Sequence, residues 1–215
     1  SPSSLGRLFL SMWRDGSLFL HVGITLTETL VSFALVVVIG LAVSLLLWLS
    51  DSVFQVLEPY LVILNSLPKS ALAPLLIVWL GANSRTIIVA GMSVAIFGTI
   101  LNLYTGFTET SREKIRLIYT LHGTKKDALT KVVLPSTVPM VISIMKVNIG
   151  LCLVGVVIGE FIGARNGLGY LIIYGSQVFQ LDLVILSILI LCLMAMLLYG
   201  GVTAAEKLYH RRQHA

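Results

Sequence analysis

The stretch TLVSFALVVVIGLAVSLLLWLS, residues 29–50, runs for 22 residues without a charged side chain. A helix needs about 20 mostly apolar residues to cross the hydrocarbon core of a bilayer, so this stretch predicts a transmembrane helix. Thr86–Thr108, between Arg85 and Glu109, and Leu183–Ala205 have the same character. We therefore expect an all-α polytopic membrane protein.

The composition agrees with this fold class. Of 215 residues, 57% are hydrophobic and 12% are charged, and the mean hydropathy is +0.96. Soluble domains contain about 25% charged residues, so an ordinary soluble globule is excluded. Cys152 and Cys192 each lie inside an apolar run, which favours packing over a disulfide, a metal site or a nucleophile. The net charge of +5 comes from clustered bases, which report membrane orientation rather than a nucleic-acid partner.

Two more spans are predicted despite interruptions, Pro59–Ser84 and Val132–Ile162. Prolines and charges at membrane depth are tolerated where a helix faces protein or a water-filled cavity. The interrupting residues are Pro68, Lys69 and Pro74 in the first span, and Pro135, Pro139, Lys146 and Glu160 in the second. The sequence thus predicts five transmembrane helices.

The lysine and arginine distribution predicts which side faces the cytoplasm. Bases concentrate in the loop after the third span and in the C-terminal tail, and cytoplasmic loops carry such an excess. We expect residues 1–21 to form an outer interfacial segment, 22–208 the transmembrane domain and 209–215 a cytoplasmic tail. An outer N-terminal segment is hard to insert without a preceding span, so a further, sixth helix is expected upstream of Ser1.

Common sequence motifs of nucleotide-binding, metal-binding and hydrolytic sites are missing from this sequence. It has no GxxxxGK[ST] phosphate loop, no HExxH zinc motif and no GxSxG nucleophile elbow, and its four histidines are scattered. The glycine-rich run Gly163–Gly169 follows an apolar span, which favours a tight turn over a dinucleotide site. We expect no catalytic, cofactor or metal site in this chain.

Residues 109–134 form a basic loop with apolar residues at helical spacing. Ile115, Ile118 and Leu121 predict the apolar stripe of a first helix, which Gly123 closes in the left-handed conformation. Thr124 and Asp127 have the spacing of a capping box. A second helix is expected over 125–133, with an apolar face of Ala128, Leu129, Val132 and Val133 and an end or kink at Pro135.

This order of helix, glycine, amphipathic helix and Val-Val-Leu-Pro resembles the EAA loop of ABC-importer permeases. The motifs 67–75 (LPKSALAPL), 79–81 (WLG) and 159–171 are similar to the nitrate, taurine and aliphatic-sulfonate branch. Permeases of that branch have six spans in the bacterial cytoplasmic membrane, with both termini inside. The chain departs from the family at Leu117, Ile118 and Tyr119, where the motif usually reads Glu-Ala-Ala, and its interval from Gly123 to Leu134-Pro135 is one residue shorter than usual.

The resemblance implies that residues 124–131 form a coupling helix in a groove of a separate ATPase subunit, which would hold ATP and Mg. We expect Leu129 to be buried in that groove, with Lys125 and Lys126 at its rim. The expected coupling residues are Gly123, Thr124, Lys125, Lys126, Asp127, Ala128, Leu129, Leu134 and Pro135.

Polar residues within the spans are candidates for the solute path: Asn65, Ser66, Lys69, Asn102, Asn148 and Glu160. Each also has a structural interpretation. Lys69 either attracts an anion or caps broken backbone between two prolines, and the asparagines either line the path or hold helices together. Glu160 is expected to be a gate, a contact with the binding protein or a solvated carboxylate at a helix end. Lys146 is expected to extend its ammonium group to the interface.

Gly155, Gly159 and Gly163 recur every four residues and predict close helix packing, within the chain or between two copies. The resemblance implies a second permease copy, ATPase subunits, an extracytoplasmic solute-binding protein and membrane lipid as partners. The expected function is ATP-driven import of a small anionic solute such as a sulfonate, nitrate or bicarbonate. An ion-coupled carrier or a channel subunit is the alternative, in which the polar membrane residues would be the coupling sites.

Overall fold

The computed structural model describes residues 2–213, and this part of the chain is helical without a strand. His214 and Ala215, at the end of the predicted tail, lie outside the described residues, as does Ser1. The helices are α1 (Pro2–Arg14), α2 (Ser17–Leu49), α3 (Asp51–Ser66), α4 (Lys69–Leu80), α5 (Ser84–Thr108), α6 (Arg112–Thr120), α7 (Lys125–Ala128), α8 (Leu134–Gly163), α9 (Leu168–Gln177) and α10 (Leu181–Gln213). A π-helical turn, Leu129–Val133, joins α7 to α8.

Four of these helices are long and apolar enough to cross a membrane: α2, α5, the continuous helix Lys125–Gly163, and α10. The pair α3 and α4 meets the same test but bends by 96° at its break, so it is a broken span or a re-entrant loop. The break lies at Leu67 and Pro68, because the backbone of a residue that precedes a proline is disfavoured in the helical conformation. The predicted all-α membrane fold is confirmed, with five spans when the bent pair counts as one.

Helix α2 begins well before the predicted span at residue 29. Ser17 starts it, and Glu28 lies within the helix with only 3% of its surface exposed. The expected boundary between the outer segment and the transmembrane domain, at residues 21 and 22, therefore falls inside α2. The predicted span began after Glu28 because the residue is charged, but Glu28 is buried within the helix. Helix α1 precedes it and packs Met12 against α10, while Trp13 is 51% exposed and lies against the ring of Phe19.

Helices α2, α5 and α8 form the centre of the fold through small residues. A Cβ atom on Gly155 would lie 2.8 Å from the Cα atom of Gly91 in α5, and one on Gly159 would lie 3.3 Å from the Cα atom of Ile87. Gly163 instead faces Ile77 of α4, at 2.7 Å. The three glycines thus lie against helices of the same chain, which answers the question that the sequence left open.

A buried cluster, here named the loop core, joins the loop 109–134 to the helices beneath it. It contains the ends of α2 and α5, the turn from α7 into α8, and one residue further along α8. Its buried members are Trp48, Leu103, Phe107, Ala128, Leu129, Val133 and Met145. We name this end of the molecule the loop end, and the opposite end, where α8 turns into α9, the corner end.

Candidate functional site

At the loop end, α6 closes in a different way from the one predicted. His122, with φ of 59°, takes the left-handed conformation that was assigned to Gly123. The N–H of His122 donates to Tyr119 O and the N–H of Gly123 donates to Ile118 O, which is the Schellman arrangement. Gly123 is needed for space, because a Cβ atom there would lie 2.5 Å from Cγ2 of Ile118.

The capping box at the start of α7 is present as predicted. Thr124 N donates to Asp127 Oδ2 at 2.9 Å, and Asp127 N donates to Thr124 Oγ1 at 3.3 Å. Lys131 lies 3.2 Å from the Asp127 carboxylate and adds a surface ion pair one turn further on. The loop therefore enters the helix Lys125–Gly163 at a fixed angle.

Pro135 does not end this helix, although an end was one of the two outcomes expected for it. The helix continues from Lys125 to Gly163, and the residues before the proline widen into the π-helical turn, where Leu134 N donates to Leu129 O. A proline has no N–H for the carbonyl four residues earlier and its ring crowds that carbonyl. The wider turn accommodates this defect, as π-helical turns commonly do within α-helices.

The structure corrects the expectation for Leu129. This side chain is 8% exposed and lies in the loop core, because the π-helical turn rotates it toward α2 and α5. Lys125 is also held by its own chain, with Nζ 5.4 Å from the Trp48 ring and 3.8 Å from Asp51 Oδ1. The apolar side chains that face outward in this loop are instead Leu117, 59% exposed, and Leu121, 69% exposed, so Leu121 is not part of an inward stripe.

Within the membrane-spanning part, three of the predicted path residues come together. Asn65 of α3, Asn102 of α5 and Asn148 of α8 line one cavity of about 190 Å³, with Thr99 and Ser143. Asn148 is 3% exposed and its Nδ2 atom has no hydrogen-bond partner among the described residues. A buried donor without a partner costs about 1–3 kcal/mol, so this amide is available to an acceptor that enters the cavity.

Ser66 and Lys69 do not line this cavity; their side chains bond to backbone carbonyl groups of α3 near its break from α4. Ser66 Oγ donates to Val62 O at 2.8 Å, and Lys69 Nζ donates to Leu64 O at 3.0 Å. The last carbonyl groups of a helix have no partner within it, so Lys69 caps the end of α3. This is the structural one of the two roles that the sequence left open. Its ammonium group also lies 5.5 Å from the centre of the Phe97 ring.

Glu160, at the corner end, is neither solvated nor exposed to a partner. It is fully buried, and its Oε1 atom accepts a hydrogen bond from Thr25 Oγ1 at 2.7 Å while Oε2 accepts one from Gly169 N at 2.6 Å. Thr25 Oγ1 also accepts a hydrogen bond from Leu168 N at 2.8 Å, and His21 Nδ1 accepts one from Gly167 N at 3.0 Å. These side chains satisfy the free N–H groups at the start of α9, because the tight turn directs them inward.

Lys146 of α8 is paired with an acid on another helix. Its Nζ atom forms an ion pair with Glu206 Oε2 of α10, and both side chains are about four-fifths buried. The sequence prediction ended the last span at this acid, although a buried base and an acid on another span are together a signal for such a pair. Among the described residues no group of three or more His, Cys, Asp or Glu side chains is arranged to hold a metal ion.

Residues 36–213 match the family described as binding-protein-dependent transport system inner membrane component. The chain belongs to this family. Its members are permease subunits of ABC importers, which are transport components and not enzymes, and which work with ATPase and binding-protein partners.

Named relatives agree with the family. The chain is 32% identical over 194 residues to a probable ABC transporter permease of Haemophilus influenzae, covering 90% of this chain and 78% of the relative. It is 29% identical to the formylaminopyrimidine transport permease ThiX of Halalkalibacterium halodurans, covering 88% and 76%. It is 25% identical to the taurine transport permease TauC of Escherichia coli, covering 90% and 70%. The predicted importer branch is thereby confirmed.

The fold of a solved permease also matches. An inward-facing structure of the MetNI methionine ABC transporter superimposes with a TM-score of 0.73 at 20% identity, over 86% of this chain and 92% of that one. This likeness concerns the fold. Together with the family match, it leaves the alternative of an ion-coupled carrier or a channel subunit without support.

Proposed function

We propose that this permease moves a small polar solute through the cavity lined by Asn65, Asn102 and Asn148. The observation that carries the proposal is their convergence from three helices on one cavity, together with the unpartnered Asn148 amide. Amide and hydroxyl groups exchange hydrogen bonds with a passing solute without holding it by a full charge. A second copy of the chain would complete the path, as in a homodimer with two ATPase subunits.

The solute is proposed to be a small anion such as a sulfonate, nitrate or bicarbonate. The amide N–H groups of the cavity are donors that suit sulfonate, nitrate or carboxylate oxygens. The name of the Escherichia coli relative specifies taurine, a sulfonate, and that of the Halalkalibacterium relative specifies formylaminopyrimidine. Both solutes carry acceptor oxygens, so the proposal favours an acceptor-rich solute delivered by an extracytoplasmic binding protein.

ATP-dependent uptake into vesicles tests this proposal. The full complex is reconstituted in vesicles with the ATPase subunits facing the lumen. With ATP inside the vesicles and the binding protein outside, it should take up a labelled sulfonate from the outside. Asn148→Ala should lower uptake at least several-fold, whereas Gln177→Ala, an exposed amide outside the cavity, should not. Equal uptake by both variants and the unaltered protein would show that the cavity is not the path.

The loop end is proposed to be cytoplasmic and to dock the ATPase subunit that binds ATP and Mg. Its outward surface offers the leucine pair Leu117 and Leu121 and the exposed Lys126, while Ala128 and Leu129 support it from the loop core. We name Leu117, Leu121 and Lys126 the docking face. The rim role that was assigned to both lysines thus passes to Lys126, since Lys125 is held by Trp48 and Asp51.

This orientation places the C-terminus in the cytoplasm and the α8–α9 corner outside, in a bacterial cytoplasmic membrane. Bases support it: the loop and tail hold Arg112, Lys114, Arg116, Lys125, Lys126, Lys131, Lys207, Arg211 and Arg212, and the opposite side holds Arg7, Arg14, Arg85 and Arg165. In a protein with Cys152 and Cys192 replaced by alanine, a cysteine introduced at Lys126 should react with a membrane-impermeant maleimide only after the membrane is opened. Labelling in intact cells would reverse the proposed topology.

A further inference from the structure

A second buried carboxyl group lies beside Glu160 at the corner end. Glu28 of α2 is 3% exposed, and neither of its oxygen atoms has a hydrogen-bond partner among the described residues. Glu160 differs, because both of its oxygens accept hydrogen bonds. The nearest polar neighbours of Glu28 are the Ser84 hydroxyl and the Glu160 carboxyl group, and neither supplies the positive charge that would balance a buried, ionised Glu28.

Glu28 lines a cavity of about 170 Å³ that lies between α2, the start of α5 and the α8–α9 corner. A water molecule takes up about 30 Å³ in the liquid, so the cavity is large enough for a small organic group. Gly163 and Ala164 bring the carboxyl end of α8 to its wall, and the end of a helix carries a negative partial charge. The start of α5 brings an opposite, positive partial charge to the cavity, so the charge that would attract a positively charged donor is that of the Glu28 carboxylate.

We propose that this cavity binds one guanidinium or ammonium group, which donates hydrogen bonds to the Glu28 carboxylate. The described residues offer no cluster of acidic or histidine ligands for a metal ion, and an organic cation needs only one carboxylate and neutral acceptors around it. Ser84 and Asn166, which also line the cavity, supply such acceptors. This site goes beyond the proposed solute path, because it lies apart from the asparagine cavity.

The cationic group that binds in the cavity can come from this chain or from another molecule. The first source is Arg165, which lines the same cavity, is exposed, and forms no ion pair with Glu28 in this structure. The backbone shortly after Arg165 is held, because Leu168 N donates to Thr25 Oγ1 and Gly169 N donates to Glu160 Oε2. The second source is a basic group from outside the chain, such as a lysine or arginine of a docked protein.

Chemical rescue distinguishes these sources in the purified permease–ATPase complex. The probe is ethylguanidinium chloride, with sodium chloride at equal ionic strength as the salt control. The variants are Glu28→Gln, which keeps the shape and removes the charge, and Arg165→Ala. Arg7→Ala, an exposed arginine of α1, is the matched control. Unfolding temperature is the readout, and a single bound ligand raises it on the order of 5 °C for a chain of this size.

If Arg165 is the source, Arg165→Ala lowers the unfolding temperature, ethylguanidinium restores it, and Glu28→Gln abolishes the rescue. If the group comes from outside, Arg165→Ala has no effect and ethylguanidinium stabilises the unaltered complex but not Glu28→Gln. Equal responses of all proteins to ethylguanidinium and sodium chloride would overturn the proposal. Should Glu28→Gln fail to fold, Ser84→Leu, which adds bulk to the cavity beside Glu28, should block ethylguanidinium in the same way.

Discussion

Two leucines of the loop 109–134 should respond in opposite ways to the same truncation. Leu129 is 8% exposed within the loop core, so Leu129→Ala leaves a cavity and should cost about 2–5 kcal/mol. Each kcal/mol lowers the unfolding temperature of a chain of this size by roughly 2–4 °C, which gives a decrease of about 4–20 °C. Leu121 is 69% exposed, and Leu121→Ala should change stability by no more than about 0.5 kcal/mol.

Affinity for the ATPase subunit should show the reverse order. Only the few anchor residues of an interface cost more than about 1 kcal/mol when truncated; we predict that Leu121 is one of them, so Leu121→Ala should weaken binding roughly tenfold. Thermal unfolding of the permease in nanodiscs measures the first effect, and titration with the fluorescently labelled ATPase subunit measures the second. The reasoning is refuted if Leu129→Ala leaves the unfolding temperature unchanged but prevents ATPase binding, since Leu129 would then face the partner.

Three further substitutions test the packing and the polar contacts. Gly155→Ala should prevent close contact of α8 with α5 and reduce the yield of folded protein, whereas Gly150→Ala, with open space around it, should be tolerated in the same size-exclusion assay. Thr124→Ala should destabilise the loop by about 1 kcal/mol in thermal unfolding through loss of the helix cap, and Thr130→Ala should cost less because its hydroxyl only bonds back to its own helix. Glu160→Ala should cost at least about 1–3 kcal/mol, since it leaves buried donors unpaired, and Glu160→Gln should recover part of this loss; equal unfolding temperatures for the two would argue against the hydrogen bonds.

The sequence was sufficient for features that depend on neighbouring residues. Charge-free stretches predicted the membrane helices, because the bilayer imposes their length and composition directly. The Thr124–Asp127 capping box was predictable for the same reason, since both partners lie within one turn. The Schellman turn was only partly predictable: the pattern showed that the helix ends near Gly123, but the left-handed residue is His122, and the glycine is needed because Ile118 leaves no room for a Cβ atom.

Features that depend on tertiary contacts were misassigned. Leu129 has the spacing of an outward apolar face, but the π-helical turn before Pro135 changes the direction of that face. Glu160 has the sequence position of a solvated helix end, yet Thr25 and Gly169, distant in sequence from each other, enclose it. Periodicity describes one helix at a time, so it contains no information on which side chains of other helices lie opposite.

Helix α7 is packed against α2 and α5 and is continuous with α8, so we expect it to move together with the membrane helices. Ala128 and Val133 are fully buried against the ends of α2 and α5, and no loop separates α7 from α8, since the helix is continuous to Gly163. Lys146, further along the same helix, is held by Glu206 of α10. A displacement of the docking face would therefore shift α8 as a body, because a packed core does not absorb motion between its members. Asn148 lies on that helix two residues beyond Lys146, so the same displacement would reach the wall of the asparagine cavity.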